Sequence, residues 1–188
     1  MTVLGATVAS AQTPAVREEP NIHGRPGWVL ENGKVRIGLL RGGGHIAEVR
    51  LVSANPRLSI NPMFIPVGNG YMGHLVCFPH YGPASAEERA QGLAGHGEAG
   101  SVEWQQTRPP QITAQGLTFF YGADLPKTQY KIERSVTLKA GDTAVHVEEW
   151  IENLAPYDRP YNRISTRRSA HRSSCWAGMF STCLGRAA

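Results

Sequence analysis

The sequence is short of cysteine and contains no long apolar run. Three cysteines occur among 188 residues, and two of them, Cys175 and Cys183, lie near the end of the chain. Cys77 is alone in the rest of the sequence, so no disulfide framework is indicated. No apolar stretch is long enough to span a bilayer, so we expect no membrane association of that kind.

Acidic residues are absent from the last part of the chain. The arginines found there account for the formal net charge of +4: Arg163, Arg167, Arg168, Arg172 and Arg186. Without them the chain has 14 basic and 15 acidic residues, a net charge of −1 for residues 1 to 162. A near-neutral body has little attraction for a polyanion, so we expect no nucleic-acid partner.

The first residues differ in composition from the rest. Val3 to Ala11 is small and apolar, and Ala9-Ser10-Ala11 before Gln12 fits the pattern cut by signal peptidase. We expect residues 1–20 to be a signal-peptide remnant or a disordered terminus outside the fold. The first alternative predicts a periplasmic or secreted protein, and a genuine N-terminus predicts a cytoplasmic one.

From Gly27 onward the pattern is that of β-strands. Asn32-Gly33 separates two apolar stretches and predicts a hairpin, because both residues accept the positive φ of a type I′ turn. Tyr130 to Leu138 alternates apolar and polar residues, except that Arg134 interrupts the apolar face. Further strands are predicted at three segments: His45–Val52, Ile112–Tyr121 and Thr143–Asn153.

Helical periodicity is nearly absent. Ala84 to Gln91 has room for two turns at most, so an all-β antiparallel β-sandwich is predicted. Between Ser53 and Ser101 the strand signal fades, and a loop of that length is unusual unless it has a function.

This loop holds most of the reactive side chains. It contains histidines, tyrosines, a carboxylate and many glycines, which let the backbone turn tightly and approach a ligand. Four side chains there are also of metal-ligand type: His74, Cys77, His80 and His96. Because their spacing matches no compact zinc pattern, a metal site is the less favoured interpretation.

Several motifs occur in a fixed order along the chain. They are Cys77-Phe78-Pro79-His80-Tyr81-Gly82, then Leu93-Ala94-Gly95-His96-Gly97-Glu98-Ala99, then Trp104, and finally the segment from Glu149 to Pro160. This order resembles the aldose 1-epimerase (galactose mutarotase-like) superfamily, including its glucose-6-phosphate 1-epimerase branch. The resemblance runs from about Trp28 to Ile164, the first half of a normal family member.

The resemblance implies a large β-sandwich, the galactose mutarotase-like supersandwich, which binds a sugar in a groove on one sheet. In that family a carboxylate takes the proton of the anomeric hydroxyl while a histidine protonates the ring oxygen, and the ring opens and recloses as the other anomer. No cofactor is implied. We expect residues 21–164 to form the first part of such a sandwich, which is incomplete in this chain.

The tail at residues 165–188 reads as an aberrant, out-of-frame segment. After Ile164 arginine and serine abound and strand alternation stops. Ile164, Ser165 and Thr166 can be encoded by ATC, AGC and ACN. Read from the third base of the Ile164 codon, these bases give CAG-CAC, which encodes Gln-His. The codons that follow permit Gly-x-Pro-Phe at the spacing found in the family. A genuine basic tail is the alternative. If the frame has shifted, the histidine acid and the carboxylate base of the family are both missing.

Four residues are the predicted sugar contacts, and each has a structural alternative. His96 matches the His-Gly motif and is expected to bond a sugar hydroxyl, the alternative being a histidine that caps a loop. Glu98 is expected to accept hydroxyl hydrogen bonds, although many relatives have an aromatic residue there. His80 is either a contact or a solvent-facing residue, and Trp104 either stacks on a pyranose or lies in the core.

The function predicted from the sequence is therefore an aldose 1-epimerase-like protein that is inactive as given, with a monosaccharide or other small carbohydrate as ligand. Ala99-Gly100 stands where the sugar-phosphate branch has Ala-Arg, which argues against a phosphorylated sugar. A non-catalytic carbohydrate-binding module is the alternative, and a metal-binding β-protein is the third possibility. Half a sandwich leaves sheet edges open, so self-association or poor solubility is also expected.

Overall fold

The computed structural model describes residues 14–67 and 70–167. They form two antiparallel sheets. The strands are β1 (Ala15–Ile22), β2 (Arg25–Glu31), β3 (Val35–Leu40), β4 (Ile46–Leu51), β5 (His74–Cys77), β6 (Gln105–Thr113), β7 (Gly116–Leu125), β8 (Tyr130–Lys139), β9 (Val145–Asn153) and β10 (Ile164–Arg167). One sheet has the order β1-β2-β3-β4-β5-β10 and the other β6-β7-β8-β9. The predicted all-β antiparallel sandwich is confirmed.

The predicted hairpin at Asn32-Gly33 joins β2 to β3. Gly33 has a φ of 78°, but Asn32 does not have a positive φ, so the hairpin forms without the type I′ geometry expected at these two residues. The Asn32 side-chain oxygen instead accepts hydrogen bonds from the amides of Lys34 and Val35. The Asn32 side-chain amide donates to the carbonyls of Lys139 and Asp142, at 2.6 and 2.9 Å, in the turn between β8 and β9. One residue therefore closes the hairpin and also ties the two sheets together.

The main core lies between the sheets. Trp28 of β2 packs on Phe119 and Tyr121 of β7, with ring centroids 5.3 and 6.0 Å apart. The alternation predicted for β8 is confirmed, since its four apolar inward residues are buried: Tyr130, Ile132, Val136 and Leu138. A smaller cluster covers the other face of the six-stranded sheet with residues Ile22, Val29, Leu40, Ala47 and Met72.

The described strands extend past both predicted limits of the folded part. Strand β1 begins at Ala15 and pairs with β2, so residues 15–20 belong to the fold. Within β1 only Ile22 is buried, so this edge strand carries no apolar alternation that a sequence pattern reveals. At the other end β10 continues to Arg167, past the predicted limit at residue 164, and pairs with β5 from Ile164↔Cys77 to Arg167↔His74. The signal-peptide prediction for residues 1–13 and the rest of the predicted tail lie outside the described residues.

The single strand predicted at Ile112–Tyr121 is two strands. Ile112 belongs to the edge strand β6, which ends at Thr113, and β7 begins at Gly116 after a turn. β6 was missed because Pro109 and Pro110 argue against a strand in the middle of a sheet. An edge strand accommodates proline because one of its sides needs no ladder hydrogen bonds, and β6 also has two register shifts.

The Ser53–Ser101 loop contains β5 and a short helix α1 (Ala86–Ala90). The helix lies inside the predicted Ala84–Gln91 segment. Ser85 and Glu88 form a capping box at its start, each side chain accepting a hydrogen bond from the other residue's amide. In the part of the chain that the structure describes, no helix has the length and apolar character needed to cross a bilayer.

Candidate functional site

Two loops of the reactive segment lie side by side beyond β5. The Phe78 amide donates to the His96 carbonyl at 3.2 Å, and the Ala99 amide donates to the Phe78 carbonyl at 3.2 Å. The His96 amide in turn donates to the Gly82 carbonyl at 2.7 Å. These bonds pair backbone polar groups of one loop with those of the other and fix the position of His96.

The His96-Gly97 turn has left-handed backbone geometry. φ is 66° at His96 and 84° at Gly97. A Cβ atom on Gly97 would clash with the Phe78 carbonyl oxygen, so glycine is required at this position. A positive φ on a residue other than glycine costs about 1–2 kcal/mol, which the surrounding hydrogen bonds offset.

His96 is half-buried between two tyrosines. Its ring lies edge-on to Tyr71 at 5.5 Å and to Tyr81 at 5.3 Å between centroids. The Cys77 Sγ is 3.5 Å from Nδ1 of the imidazole, and the Tyr71 hydroxyl donates to the Gly95 carbonyl at 2.7 Å. We call Tyr71, Cys77, Tyr81 and His96 the His96 cluster. Tyr81 is 54% exposed, so the cluster reaches the protein surface.

A second histidine lies behind the cluster. The His45 ring also contacts Tyr71, at 5.8 Å between centroids, and is only 2% exposed. Burial lowers the pKa of His45 to about 4, and the cations of Arg25 and Arg134 contribute in the same direction. The imidazole is therefore neutral at physiological pH. No sequence pattern singles out His45, because only the fold brings it to Tyr71.

Burial also raises the pKa of the Tyr71 hydroxyl, with a further contribution from Cys77. Tyr71 therefore remains protonated and keeps its hydrogen bond to the Gly95 carbonyl. It holds the loop that carries His96 rather than supplying a charge.

The Glu98 carboxylate is directed into the protein. It is 2% exposed and accepts hydrogen bonds from the Lys127 amide at 3.1 Å, the Thr128 amide at 2.9 Å and the Thr128 hydroxyl at 2.7 Å. Both carboxylate oxygens thus tie the His96 loop to the turn between β7 and β8. A sugar contact by Glu98 stays a prediction, and this geometry favours a structural role.

Trp104 is completely buried in the core. Its indole N–H donates to the Ala99 carbonyl at 2.9 Å, and its ring lies 5.2 Å from that of Tyr121. The ring also fills the space beside Gly44, where any Cβ would clash with it. Stacking on a sugar needs an exposed ring face, so the core alternative agrees better with this position.

His80 lies next to the short helix. Its Nδ1 is 3.5 Å from a Glu88 carboxylate oxygen, and 18% of its side chain is exposed. It follows Pro79 in the first of the two loops, so it shares the loop that carries Tyr81. Of the four predicted contacts, His96 and His80 retain access to solvent, and Glu98 and Trp104 are buried.

Tyr161 is a further residue at this end of the sandwich. The neighbouring Asn162 amide donates to the Pro79 carbonyl at 2.9 Å, and the Tyr161 ring lies 5.3 Å from Phe78 while remaining 48% exposed. No sequence pattern indicates Tyr161, because the contact joins residues far apart in the chain.

The cations around these loops are already engaged. The Lys127 amine donates to the Gly92 carbonyl, Arg89 to the Ala84 carbonyl, and Arg159 to the carbonyls of Thr128 and Gln129. Arg163 pairs with Glu149. In the described ranges no group of three or more His, Cys, Asp or Glu side chains is arranged to hold a metal ion.

Comparison with known proteins yields one distant likeness. No protein-family model matches the chain, and no curated protein does. A solved structure described as the crystal structure of HI1317 is similar over 68% of this chain and 52% of its own, with 14% identity and a TM-score of 0.42. The chain thus spans about half the length of that structure.

Proposed function

We propose that the chain binds a neutral monosaccharide at the His96 cluster and that it corresponds to the first half of an aldose 1-epimerase-like protein. The observation that carries the proposal is the half-buried imidazole of His96, held in a glycine-flanked left-handed turn between two tyrosines. Backbone strain of this kind is concentrated at ligand sites.

The chemistry of the cluster suits a carbohydrate. An imidazole both donates and accepts hydrogen bonds, as a sugar hydroxyl requires. Tyr81 and Tyr161 are exposed aromatic rings, which supply apolar surface and a hydroxyl together. A small ligand at this end of the sandwich thus has both polar and apolar partners.

The charges favour a neutral sugar over a sugar phosphate. Phosphate recognition uses arginine or lysine side chains that are available to the anion. Around these loops Lys127, Arg89 and Arg159 donate to backbone carbonyls, and Arg163 pairs with a carboxylate.

Turnover is not expected from this chain. Ring opening needs an acid and a base on opposite sides of the pyranose. Glu98, the carboxylate nearest His96 in the sequence, is saturated by internal donors.

Calorimetry and polarimetry test the proposal together. We expect glucose or galactose to bind the 188-residue chain and the chain not to accelerate mutarotation. We expect His96→Asn to weaken sugar binding at least tenfold. Asparagine is chosen because it tolerates the positive φ of this position. Absence of binding would refute the sugar site, and faster mutarotation would refute the claim that this chain lacks the catalytic acid and base.

A chain restored to the alternate frame after codon 164 separates the two candidate functions. Acceleration of mutarotation by that chain supports the epimerase. Sugar binding by both chains with no acceleration by either favours a non-catalytic carbohydrate-binding module.

A further inference from the structure

The two ring nitrogens of His96 have different surroundings. Nδ1 is 3.5 Å from the Cys77 Sγ. Nε2 makes no hydrogen bond within the described residues, and the ring as a whole is half-buried. Cys77 is only 1% exposed, so no ligand reaches the imidazole from the side of the sulfur. Nε2 is therefore the nitrogen that is left for a ligand.

The fold holds both members of this contact in place. Cys77 is the last residue of β5, whose four residues are all buried, and it pairs with Ile164 of β10. The His96 ring is fixed by the hydrogen bonds of its backbone and by its edge contacts with Tyr71 and Tyr81. Because other contacts fix each partner, the sulfur stays beside Nδ1 whether or not a ligand is bound.

The hydrogen between sulfur and nitrogen can be arranged in three ways. A pair of thiolate and imidazolium is disfavoured, because burial penalises a charged sulfur and the hydroxyl of the adjacent Tyr71 donates to the Gly95 carbonyl instead. Of the two neutral arrangements, donation by the thiol to Nδ1 is the stronger, because a ring nitrogen is a good acceptor and a thiol sulfur a poor one. The hydrogen bond made by one ring nitrogen decides which tautomer is present.

We propose that the Cys77 thiol donates to Nδ1 and thereby holds His96 in the tautomer that carries its hydrogen on Nε2. Cys77 is then a positioning residue, which acts on the ligand through His96. The open nitrogen is a donor, so the ligand atom that meets it is an acceptor oxygen, and a protonated amine is excluded from this position. The identity of that ligand as a sugar rests on the proposed function.

Nitrogen NMR of the full chain with isotope-labelled histidine tests the tautomer without any ligand. The spectra are recorded at about pH 8, where histidines of ordinary pKa are neutral. We expect proton–nitrogen correlations to show a protonated Nε2 and an unprotonated Nδ1 for His96, whose signals are identified by their loss in His96→Asn. A hydrogen on Nδ1, or on both nitrogens, would overturn the role of Cys77.

A substitution tests whether the thiol supplies the hydrogen bond. Cys77→Val fills a similar volume without a donor, so we expect the Nδ1 resonance of His96 to move downfield, toward the position of an unbonded ring nitrogen. Val76→Ala, at the neighbouring buried position of β5, is the control and leaves that resonance unchanged. Circular dichroism verifies that both variants are folded, and the wild-type spectrum decides the tautomer if one is not. A resonance that stays in place in Cys77→Val, or moves equally in both variants, would contradict the proposal.

Titration of the same labelled chain with galactose separates this role of Cys77 from the proposed function. We expect saturable shifts of Nε2 and its hydrogen that exceed those of Nδ1. A chain with the expected tautomer and no saturable shift would refute the sugar site and leave the role of Cys77 in place. A chain that binds galactose at the His96 cluster while its hydrogen is on Nδ1 would keep the sugar site and refute the role of Cys77.

Discussion

Arg134 and Glu149 form an ion pair inside the sandwich. The guanidinium Nε and Nη2 lie 2.8 and 2.6 Å from Glu149 Oε1, and the Arg134 side chain has no solvent exposure. Nη1 donates to the Gly44 carbonyl at 2.8 Å and to the Tyr121 hydroxyl at 2.7 Å. The residue that interrupts the apolar face of β8 thus links β8 to β9 and to the turn before β4.

Removing one partner of this pair should be costly. We expect Arg134→Met to lower the free energy of unfolding by about 3 kcal/mol, because Glu149 stays buried with only Arg163 beside it. Urea denaturation measures the loss. Arg108→Met, which breaks an exposed pair with Glu133, should cost no more than about 1 kcal/mol. Equal effects of the two substitutions would contradict the structural role of Arg134.

The turn at Gly97 requires glycine for a steric reason. Gly97 and Gly82 both have positive φ, but a Cβ atom clashes with the Phe78 carbonyl only at Gly97, and nothing lies within 4 Å of it at Gly82. Gly82→Ala should therefore destabilise the chain by about 1–2 kcal/mol, the cost of left-handed backbone alone. Gly97→Ala should cost more, and thermal unfolding of both variants gives the difference. A smaller loss at Gly97 would show that the two loops are arranged differently.

Glu98 should contribute to stability in the absence of any ligand. Glu98→Gln replaces a carboxylate oxygen by an amide that faces the donors of Lys127 and Thr128, so we expect a loss of about 1–3 kcal/mol. Glu103→Gln at an exposed site is the control and should change stability by less than about 0.5 kcal/mol. Chemical denaturation without sugar measures both losses. A Glu98 variant as stable as the Glu103 control would contradict a stabilising role for the hydrogen bonds between Glu98 and the turn at Lys127 and Thr128.

The depressed pKa of His45 predicts a pH dependence of stability. Its folded value is about 4 against an unfolded value near 6.5, so the unfolded chain binds a proton that the folded chain does not. The native state therefore loses stability as pH falls from 6.5 to 4, by about 3 kcal/mol in total. As pH falls over that interval, the free energy of unfolding of the wild type should decrease relative to that of His45→Leu. A constant difference between the two proteins would mean that His45 titrates normally.

Much of the fold could be predicted from local patterns. Asn32-Gly33 specified its turn through its own side chain, and β8 alternated because one of its faces lies on the core. Among the strands that were missed, β1 and β6 are edges with mainly exposed side chains, so no burial pattern marks them. β5 was missed for another reason, since its four residues are all buried and the strand is too short to show an alternation. Pairing through the backbone alone leaves little trace in a sequence.

The site was less accessible to sequence reasoning. The His-Gly motif located His96, but the roles of its neighbours depend on contacts across the fold. Glu98 meets Thr128, and Tyr71 meets His45, only after the sheets have assembled. A reactive residue type near a motif therefore does not distinguish a ligand contact from a buried structural bond.

The most direct test of the proposed sugar site is amide NMR of the isotope-labelled chain titrated with galactose or glucose. The account predicts saturable shifts at residues around the His96 cluster, including Tyr81, His96 and Gly97, and their loss in His96→Asn. Shifts centred elsewhere on the sandwich, or none at millimolar sugar, would contradict it.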